Sequence, residues 1–385
     1  MLRLQRLVLT DFRNYAALTW RPAARLAAIS GPNGSGKTNL LEAISLLVPG
    51  RGLRGARLGE LARHGAAGRW AVAGRFETGE GRLDIGTGTP AEGGSDRRAL
   101  RLDGSPARSA AAIGARVAAV WLTPQMDRLF QEGASGRRRF LDRLVLALEP
   151  GHAREVAAHD AAVAQRNRLL AQSGADRGEA DPAWLAGLEE AIARHAVAVT
   201  AARAGLAARL SAALTEGAAD PFPAARLELL CPIAERLAAG PALAAEDWLR
   251  ATLAADRSRD ARAGSTAQGA HRADMTLVDA ASLRPAAQAS TGEQKAMLVG
   301  LVLGHAALIA QARGFAPLLL LDEPAVHLDP ARRAALFDAL LALPAQVFLT
   351  GTDAEIFARL RGRAAWLRTT GGCLAQDPDF PPPEG

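Results

Sequence analysis

Features that would indicate disulfide bonds, secretion or membrane insertion are scarce in this sequence. Only Cys231 and Cys373 occur among 385 residues, which is too few for a disulfide framework and too widely spaced for a metal motif. The first fifteen residues lack the apolar core of a signal peptide. The most apolar stretch, 296–310, is shorter than the roughly 20 residues that cross a bilayer. We therefore predict a cytoplasmic protein that does not contact a membrane.

Lysine and aromatic residues are also rare. Lys37 and Lys295 are the two lysines among 46 basic residues, so these positions stand out in a chain that otherwise uses arginine. Aromatic residues make up 4% of the chain, with one tyrosine, which does not favour stacking against unpaired bases. The net charge of +6 and the pI near 10.4 permit a phosphate-rich partner but are weak evidence alone.

The spacing of apolar residues predicts an α/β protein with a helical insertion. Residues 2–9 and 25–30 read as strands, and a helix should begin at Lys37. Between 185 and 206, apolar positions recur three and four apart for about three heptads, which predicts a short helical arm. His195 lies on this seam and is interpreted as a core histidine. The polar stretch 257–269 is predicted to be a loop.

Residues 31–38 match the phosphate-loop pattern G-x-x-x-x-G-K-[ST] between a predicted strand and a predicted helix. Glycines let backbone amides turn toward phosphate, and the helix N-terminus adds partial positive charge. Lys37 should bridge the β- and γ-phosphates of ATP, and Thr38 should place its hydroxyl on Mg²⁺. The predicted ATP-binding residues of this loop are Gly31, Pro32, Asn33, Gly34, Ser35, Gly36, Lys37 and Thr38.

A second element is the four-leucine run 318–321, followed by Asp322, Glu323 and a proline. Four leucines predict a strand buried on both faces, with the two acids where it emerges. Adjacent buried carboxylates are costly unless they are used or paired. We expect Asp322 to orient Mg²⁺ or its bound water, and Glu323 to act as the general base on the attacking water. Together with Lys37, these are the predicted catalytic residues.

A third element comes before the helix that leads to this strand. Its residues are Ser290, Thr291, Gly292 and Glu293, followed by Gln294 and Lys295. Taken alone it reads as an ordinary helix cap with a capping-box glutamate. A serine and glycine amides at a helix N-terminus can, however, also bind phosphate. Since the phosphate loop already has its own nucleotide, this second surface predicts a dimer in which each copy completes the other's site.

These three elements together resemble the ABC ATPase superfamily, and residues 325–329, ending in Asp329, resemble its D-loop. The wide spacing between Lys37 and Ser290 resembles the SMC-like repair branch more than transporter subunits. Within that branch the chain is similar to the RecF family. The matching segments are 11–15 (DFRNY), 33–44 (NGSGKTNLLEAI), 50–54 (GRGLR), 136–142 (GRRRFLD) and 269–274 (GAHRAD).

The resemblance implies an ABC-type ATPase head of mixed β-sheets and helices, 1–132 plus 265–385, with an inserted helical arm or lid, 133–264. It implies ATP-dependent dimerisation on duplex, gapped or single-stranded DNA and slow, DNA-stimulated hydrolysis. It also implies work with RecO and RecR in loading RecA, hence roles in replication, recombination, DNA damage repair and the SOS response. By the same resemblance, Arg13, Asn14 and Asn39 join the ATP site, and Gln125 senses Mg²⁺ and the γ-phosphate.

The resemblance is incomplete in two respects, of which one is that 124–126 and Ala270 differ from the commoner wording of the family. Transporters place a switch histidine where this chain has Thr350, Gly351 and Thr352. We therefore expect the Thr350 hydroxyl to sense the γ-phosphate and turnover to be slow.

Arginine clusters are the predicted DNA contacts. Arg51 and Arg54 follow the phosphate-loop helix, together with Arg57, and Arg137, Arg138 and Arg139 lie at the root of the predicted arm. Arginine contacts to phosphate do not read base sequence and give salt-sensitive affinity. The alternative for 137–139 is that these arginines pair with acids or solvate a helix start.

Two other classes remain as alternatives. One is the nucleotide-binding subunit of a transporter, against which stand the long insertion and the missing histidine. The other is a chromosome-structuring or break-sensing SMC relative, against which stands the short arm.

Overall fold

The computed structural model describes residues 1–90, 98–172 and 181–377, which form two compact units. The sheet unit comprises Met1–Arg128, Ala213–Ala225 and Asp279–Gly385, and the helical unit comprises Leu129–Ala212 and Arg226–Val278. Residues 265–278 thus group with the helical unit and 213–225 with the sheet unit, unlike the head and arm boundaries predicted above.

The predicted mixture of strands and helices is confirmed. The strands are β1 Arg3–Phe12, β2 Tyr15–Trp20, β3 Leu26–Ser30, β4 Ala71–Thr78, β5 Gly81–Gly88, β6 Ala99–Leu102, β7 Ser105–Pro106, β8 Ala119–Leu122, β9 Ala225–Leu230, β10 Asp274–Asp279, β11 Leu318–Leu321, β12 Val347–Thr350, β13 Ala365–Thr370 and β14 Cys373–Gln376. The helices are α1 Lys37–Ser45, α2 Ala110–Gly114, α3 Ala134–Leu148, α4 His152–Gln172, α5 Pro182–Thr215, α6 Pro232–Ala239, α7 Ala242–Ala255, α8 Arg257–Ala263, α9 Thr291–Arg313 and α10 Pro330–Ala342.

A largely parallel sheet forms the centre of the sheet unit, with strand order β14-β13-β3-β12-β11-β8. Its pairs are parallel except β13 with β14. Strands β3, β8, β11 and β12 are buried along their whole length, as their continuous apolar sequences predict for strands covered on both faces. The carboxyl ends of β3, β12, β11 and β8 therefore lie side by side at one edge.

A second, antiparallel sheet has the strand order β2-β1-β4-β5-β6-β7. Strand β1 alternates buried and less buried residues, which is typical of a strand with one face in the core. The two sheets are joined by hydrogen bonds in both directions between the Gln346 side-chain amide and the backbone of Leu4, at 2.7 and 3.1 Å. Trp20 and Phe348 pack edge to face beside this junction. A third sheet pairs β9 with β10.

Helix α9 fills the core of the sheet unit. It is long and apolar enough to cross a membrane, as is α5. Most of α9 is nevertheless buried, including every residue from Gln294 to Ala306. Its apolar side chains therefore pack inside the sheet unit.

The helical unit is held together by an apolar cluster and by a group of buried charges. The cluster joins α4, α5, α6 and α7 through Ala162, Val163, Ile192, Ala193, Ala196, Val197, Val199, Cys231, Ile233, Ala245, Leu249, Leu253, Ala270 and Ala273. Arg166 on α4 is fully buried and contacts Glu189 at 3.2 Å and Asp260 at 2.7 Å. His195 on α5 is part-buried and bonds to Glu155 at 2.7 Å.

The predicted loop at 257–269 is wrong in its first half, where the chain forms helix α8. The polar residues that suggested a loop are used inside the protein. Asp260 is buried against Arg166, and Arg257 pairs with the buried Glu189 at 2.5 Å. The polar residues of this stretch therefore belong to a buried group of ion pairs. A sequence pattern cannot distinguish such a group from a solvated segment.

Replacing Arg166 with methionine should destabilise the helical unit strongly. The change leaves Asp260 buried without its closest cation, which typically costs about 3–5 kcal/mol. The matched control is Arg250→Met, because the Arg250–Asp247 pair is exposed and should contribute about 0–1 kcal/mol. Urea-induced unfolding followed by circular dichroism measures both. Equal midpoints for the two variants would contradict this account of the buried charges.

Candidate functional site

The phosphate loop connects the end of β3 to the start of α1. Gly31, Gly34 and Gly36 all have positive φ angles, of 147°, 78° and 113°. At Gly36 an added Cβ would lie 2.6 Å from the Asn14 amide nitrogen and 2.9 Å from the Tyr15 hydroxyl. This position thus requires glycine for its backbone angle and for space. The loop backbone is fixed as a turn that ends directly at a helix N-terminus, which is an anion-binding arrangement.

The Lys37 side chain lies across this loop. Its ammonium donates hydrogen bonds to the carbonyl oxygens of Gly31 at 2.7 Å and Pro32 at 3.0 Å. Burial lowers the pKa of Lys37, and the nearby Glu323 and Asp322 carboxylates act in the opposite direction. The lysine and the two acids, far apart in sequence, therefore share one electrostatic environment.

Two threonine hydroxyls meet at the buried carboxylate of Asp322. Thr38, at the start of α1, donates to both carboxylate oxygens at 2.9 Å. Thr350, at the end of β12, donates to one of them at 2.6 Å and accepts from the backbone N–H of Glu323 at 3.1 Å. The predicted γ-phosphate sensor Thr350 is fully buried, so any signal from a phosphate would reach it through these acids. Direct sensing by Thr350 stays a prediction.

Glu323 adopts a left-handed backbone conformation, with φ at 48°. Non-glycine residues in such regions cost about 1–3 kcal/mol and concentrate at functional sites. Its side chain is half-buried, next to the almost fully buried Asp322. A carboxylate that keeps solvent access at this edge is suitably placed to receive a proton from water.

The remaining residues expected at the nucleotide surround the loop. Asn14 donates to the Ser35 carbonyl at 2.9 Å and accepts from Asn39 at 2.8 Å, so all three lie together. Arg13 instead forms a bidentate pair with the buried Glu42 at 2.8 Å. The guanidinium of Arg13 is therefore already engaged, and its predicted contact with ATP is untested.

Sequence reasoning missed three contacts around the loop, two of which come from the far end of the chain. The Thr369 hydroxyl lies 2.6 Å from the Ser35 hydroxyl, and the N–H of Gly372 donates to the Ser35 carbonyl at 3.4 Å. The Tyr15 hydroxyl donates to the Gly36 carbonyl at 3.0 Å. Strands β13 and β2 thus support the phosphate loop. Separations above 300 residues leave no pattern in sequence that would have revealed the Ser35–Thr369 contact.

The signature segment forms the N-terminus of α9 as a capping box. Ser290 accepts from the N–H of Glu293 at 3.4 Å, and the Glu293 carboxylate accepts from the N–H of Ser290 at 2.8 Å. Ser290 and Thr291 are exposed. Across the described ranges, no hydrogen bond or ion pair joins residues 290–293 to the phosphate loop of the same chain. The segment is therefore free to meet another molecule.

The predicted D-loop lies beside the signature in the same chain. An added Cβ at Gly292 would lie 3.7 Å from the carbonyl oxygen of His327. Asp329 caps α10, accepting from the N–H of Arg332 at 2.8 Å. The capping contact explains the local fold and leaves the D-loop role of Asp329 as a prediction.

Gln125 follows β8, in a short 3-10 helix spanning Pro124–Arg128, and its side chain is exposed. Because β8 neighbours β11, this residue emerges at the same edge as Asp322. In open α/β sheets, ligands bind at the carboxyl ends of the strands. The topology therefore brings Gln125 to the correct edge, although the described residues show no direct bond between it and Lys37, Thr38 or Asp322.

The arginines predicted to contact DNA differ in the hydrogen bonds and ion pairs that they form within the chain. Arg51 and Arg139 are exposed and form no hydrogen bond or ion pair with any residue that the structure describes. Arg54 bonds to Asn39 at 2.7 Å. Arg137 forms a bidentate pair with Asp274 at 2.7 Å, and Arg138 donates to the Ala273 carbonyl at 2.8 Å. The alternative of pairing with acids thus applies to Arg137.

The residues present fit ATP and Mg²⁺. The glycine turn has no room for side chains at Gly31 and Gly36, and the loop contains the ammonium of Lys37. The Thr38 hydroxyl and the Asp322 carboxylate are hard oxygen donors side by side, of the type that Mg²⁺ prefers. Lys37 would hold phosphate oxygens, while Thr38 and Asp322 would hold the cation directly or through water.

Comparison with known proteins points in the same direction. A family model described as the RecF/RecN/SMC N terminal domain matches residues 3–369. The chain is 47% identical over 372 residues to the DNA replication and repair protein RecF of Rhizobium etli (strain CIAT 652), covering 96% of this chain and 97% of that protein. It is 46% identical to the RecF protein of Mesorhizobium japonicum, covering 98% of each.

Solved structures show the fold. The recombination mediator protein RecF-ATPrS in the RecFOR pathway superposes with a TM-score of 0.84 at 21% identity, covering 97% of this chain and 98% of that chain. A Smc head domain from Pyrococcus furiosus, with an extended coiled coil, has a TM-score of 0.52 at 16% identity, covering 97% and 95%. The predicted ABC-type ATPase fold is confirmed. On its sequence, its fold and the arrangement of its phosphate loop and acids, this chain belongs to the RecF family.

Proposed function

We propose that this chain is a DNA repair ATPase in which ATP binding joins two copies on DNA. The observation that carries the proposal is the convergence of Lys37, Thr38, Asp322 and Glu323 at the carboxyl edge of the parallel sheet. Family membership supports it, because the similar proteins carry the name DNA replication and repair protein. The likeness to a Smc head domain, at 16% identity, is one of fold alone, and none of the similar proteins described above is a transporter subunit.

Each residue of the cluster has a distinct task. Lys37 balances negative charge on phosphate oxygens, and Asp322 with Thr38 fixes the oxygen ligands for a divalent cation. Glu323 accepts a proton from a water molecule at the solvent-accessible side of the site. Thr350 holds Asp322 and the Glu323 backbone in a fixed relation. Bound ATP with Mg²⁺ would supply the phosphoanhydride bond that breaks and the free energy for assembly.

The signature segment supports a dimer. The amides at the start of a helix lack intrahelical partners and attract anions. In the capping box the Ser290 hydroxyl is used as an acceptor, so its proton remains available to a phosphate oxygen. Because Ser290 and Thr291 are exposed, we infer that the segment of Ser290, Thr291, Gly292 and Glu293 completes the nucleotide site of a second copy.

We further propose that the dimer binds DNA through arginines and acts at replication gaps. Arg51 and Arg139 are the strongest candidates for phosphate contacts, because both are exposed and unpaired within the described ranges. Cooperation with RecO and RecR in loading RecA, and a part in the SOS response, follow from the family. Slow, DNA-stimulated hydrolysis would then release the dimer.

The substitution Glu323→Gln should separate ATP binding from hydrolysis. Loss of the general base should slow hydrolysis by about 10²–10⁴-fold while ATP affinity changes little. Phosphate release and binding of a fluorescent ATP analogue measure the two quantities. Glu355→Gln is the control, because that carboxylate is exposed and pairs with Arg361 at 2.7 Å. Full hydrolysis by Glu323→Gln would remove Glu323 from the mechanism.

The substitution Ser290→Arg should abolish ATP-dependent dimerisation without preventing ATP binding by the monomer. An arginine at this position places a bulky side chain where the partner's phosphates are expected. Sedimentation velocity with ATP and Mg²⁺ gives the oligomeric state. Ser258→Arg, at an exposed serine of α8, should still dimerise. Lys37→Arg should remain monomeric for a different reason, loss of ATP binding. ATP-dependent dimers of Ser290→Arg would contradict the proposed role of the signature.

The double substitution Arg51→Ala with Arg139→Ala should weaken DNA binding and flatten its salt dependence. Each lost phosphate contact lowers the slope of log K against log salt by about 0.9. Arg137→Ala is the matched control, since Asp274 already uses that guanidinium. Fluorescence anisotropy on gapped duplex at several salt concentrations measures the slope. A slope that responds to Arg137→Ala and not to the double variant would reverse the assignment.

A further inference from the structure

Lys295, one of the two lysines of the chain, is fully buried in the sheet unit. Its ammonium donates to the Asp127 carboxylate at 2.7 Å, and its side chain is 1% exposed. It lies about one and a half turns into α9, within the buried part of that helix. Burying a charged ammonium costs free energy, so the presence of Lys295 here needs an explanation other than packing of the core.

The Lys295–Asp127 pair joins the two segments that are expected to contact nucleotides. Asp127 belongs to the 3-10 helix Pro124–Arg128, two residues after Gln125. Lys295 belongs to α9, five residues after Ser290. In the proposed dimer, Gln125 faces the nucleotide of its own chain and Ser290 faces that of the second copy. The ion pair is therefore placed between the site in one chain and the surface that completes the other.

The mechanical properties of the two segments differ. A 3-10 helix has poor hydrogen-bond geometry, so a five-residue segment of this type depends on outside contacts for its position. Among those contacts are the buried Met126 side chain and the Lys295–Asp127 pair. Helix α9, by contrast, is a continuous helix of 23 residues, buried from Gln294 to Ala306, and Ser290 is its N-cap. A small shift of the Gln125 segment would thus be carried to Ser290.

We propose that the Lys295–Asp127 ion pair transmits nucleotide occupancy from the Gln125 segment to the signature segment, so that ATP bound in one chain prepares its Ser290 surface for the second copy. This inference rests on the proposed function. Lys295 and Asp127 are positioning residues, since neither has a place among the groups that hold phosphate or the divalent cation. Coupling of this kind between two sites is typically about 5- to 150-fold in affinity.

The competing explanation is that the pair only stabilises the fold. The double variant Lys295→Met with Asp127→Leu distinguishes the two explanations. Replacing both members of a buried ion pair with apolar residues usually leaves a protein as stable or more stable, whereas removing one member leaves an unpaired buried charge. The double variant should therefore fold even where Asp127→Asn does not. Asp127→Glu, which keeps the charge, should retain the coupling.

Hydrogen exchange of the monomer tests the transmission directly. Wild type and the double variant are compared with and without ATP and Mg²⁺, at concentrations where sedimentation shows monomers. In wild type we expect ATP to slow exchange both at 31–41 and at 290–297. In the double variant we expect the slowing at 31–41 to persist and that at 290–297 to disappear. A wild type without a change at 290–297, or a double variant that keeps it, would overturn the proposal.

Dimer affinity provides a second and separate readout. With ATP, the double variant should dimerise about 10-fold or more weakly than wild type, while monomer affinity for ATP stays within about 2-fold. Unaltered dimerisation of a folded double variant would show that the pair only stabilises the fold. If wild type itself fails to dimerise with ATP, the proposed function fails, and the exchange experiment still decides whether the pair transmits occupancy.

Discussion

The carboxylate of Asp322 is the constraint on which the candidate site depends. It lies at the end of the buried strand β11 and accepts hydrogen bonds from Thr38 and Thr350. A buried carboxylate is stable when several donors share its charge, and here the donors come from the starts or ends of neighbouring elements. The same contact that satisfies Asp322 therefore sets the distances among α1, β11 and β12. Stability and function are combined at one residue.

The rarity of lysine has a structural counterpart. Both lysines have buried ammonium groups with defined acceptors, Lys37 with loop carbonyls and Lys295 with Asp127. A compact ammonium on a flexible stem fits such enclosed positions better than a planar guanidinium. Arginine is used where bidentate pairing is possible, as in Arg13 with Glu42 and Arg137 with Asp274. Arginine is not confined to planar pairs, however, because the fully buried Arg166 contacts Glu189 and Asp260 through separate nitrogen atoms.

Much of the sheet unit was readable from local pattern. Continuous apolar runs predicted the parallel strands β3 and β11, and the glycine spacing with Lys37 and Thr38 predicted the phosphate loop. The helical unit was less readable. Its Arg166, Glu189 and Asp260 are polar residues in the core, and they turned a predicted loop into helix α8. A prediction from hydrophobic pattern assumes that charged side chains face water. It therefore fails where charged side chains are buried and paired with one another.

By itself the sequence determined the nucleotide-binding chemistry, because that chemistry needs particular residue types at fixed short spacings. The loop at 31–38, the acids after β11 and the capping box at Ser290 are all local signals. Only the tertiary structure decided which groups are already engaged, such as Arg13 and Arg137, and which distant ones meet, such as Ser35 with Thr369 or Lys295 with Asp127. Such contacts depend on the packing of elements far apart in the chain, and no local spacing encodes them.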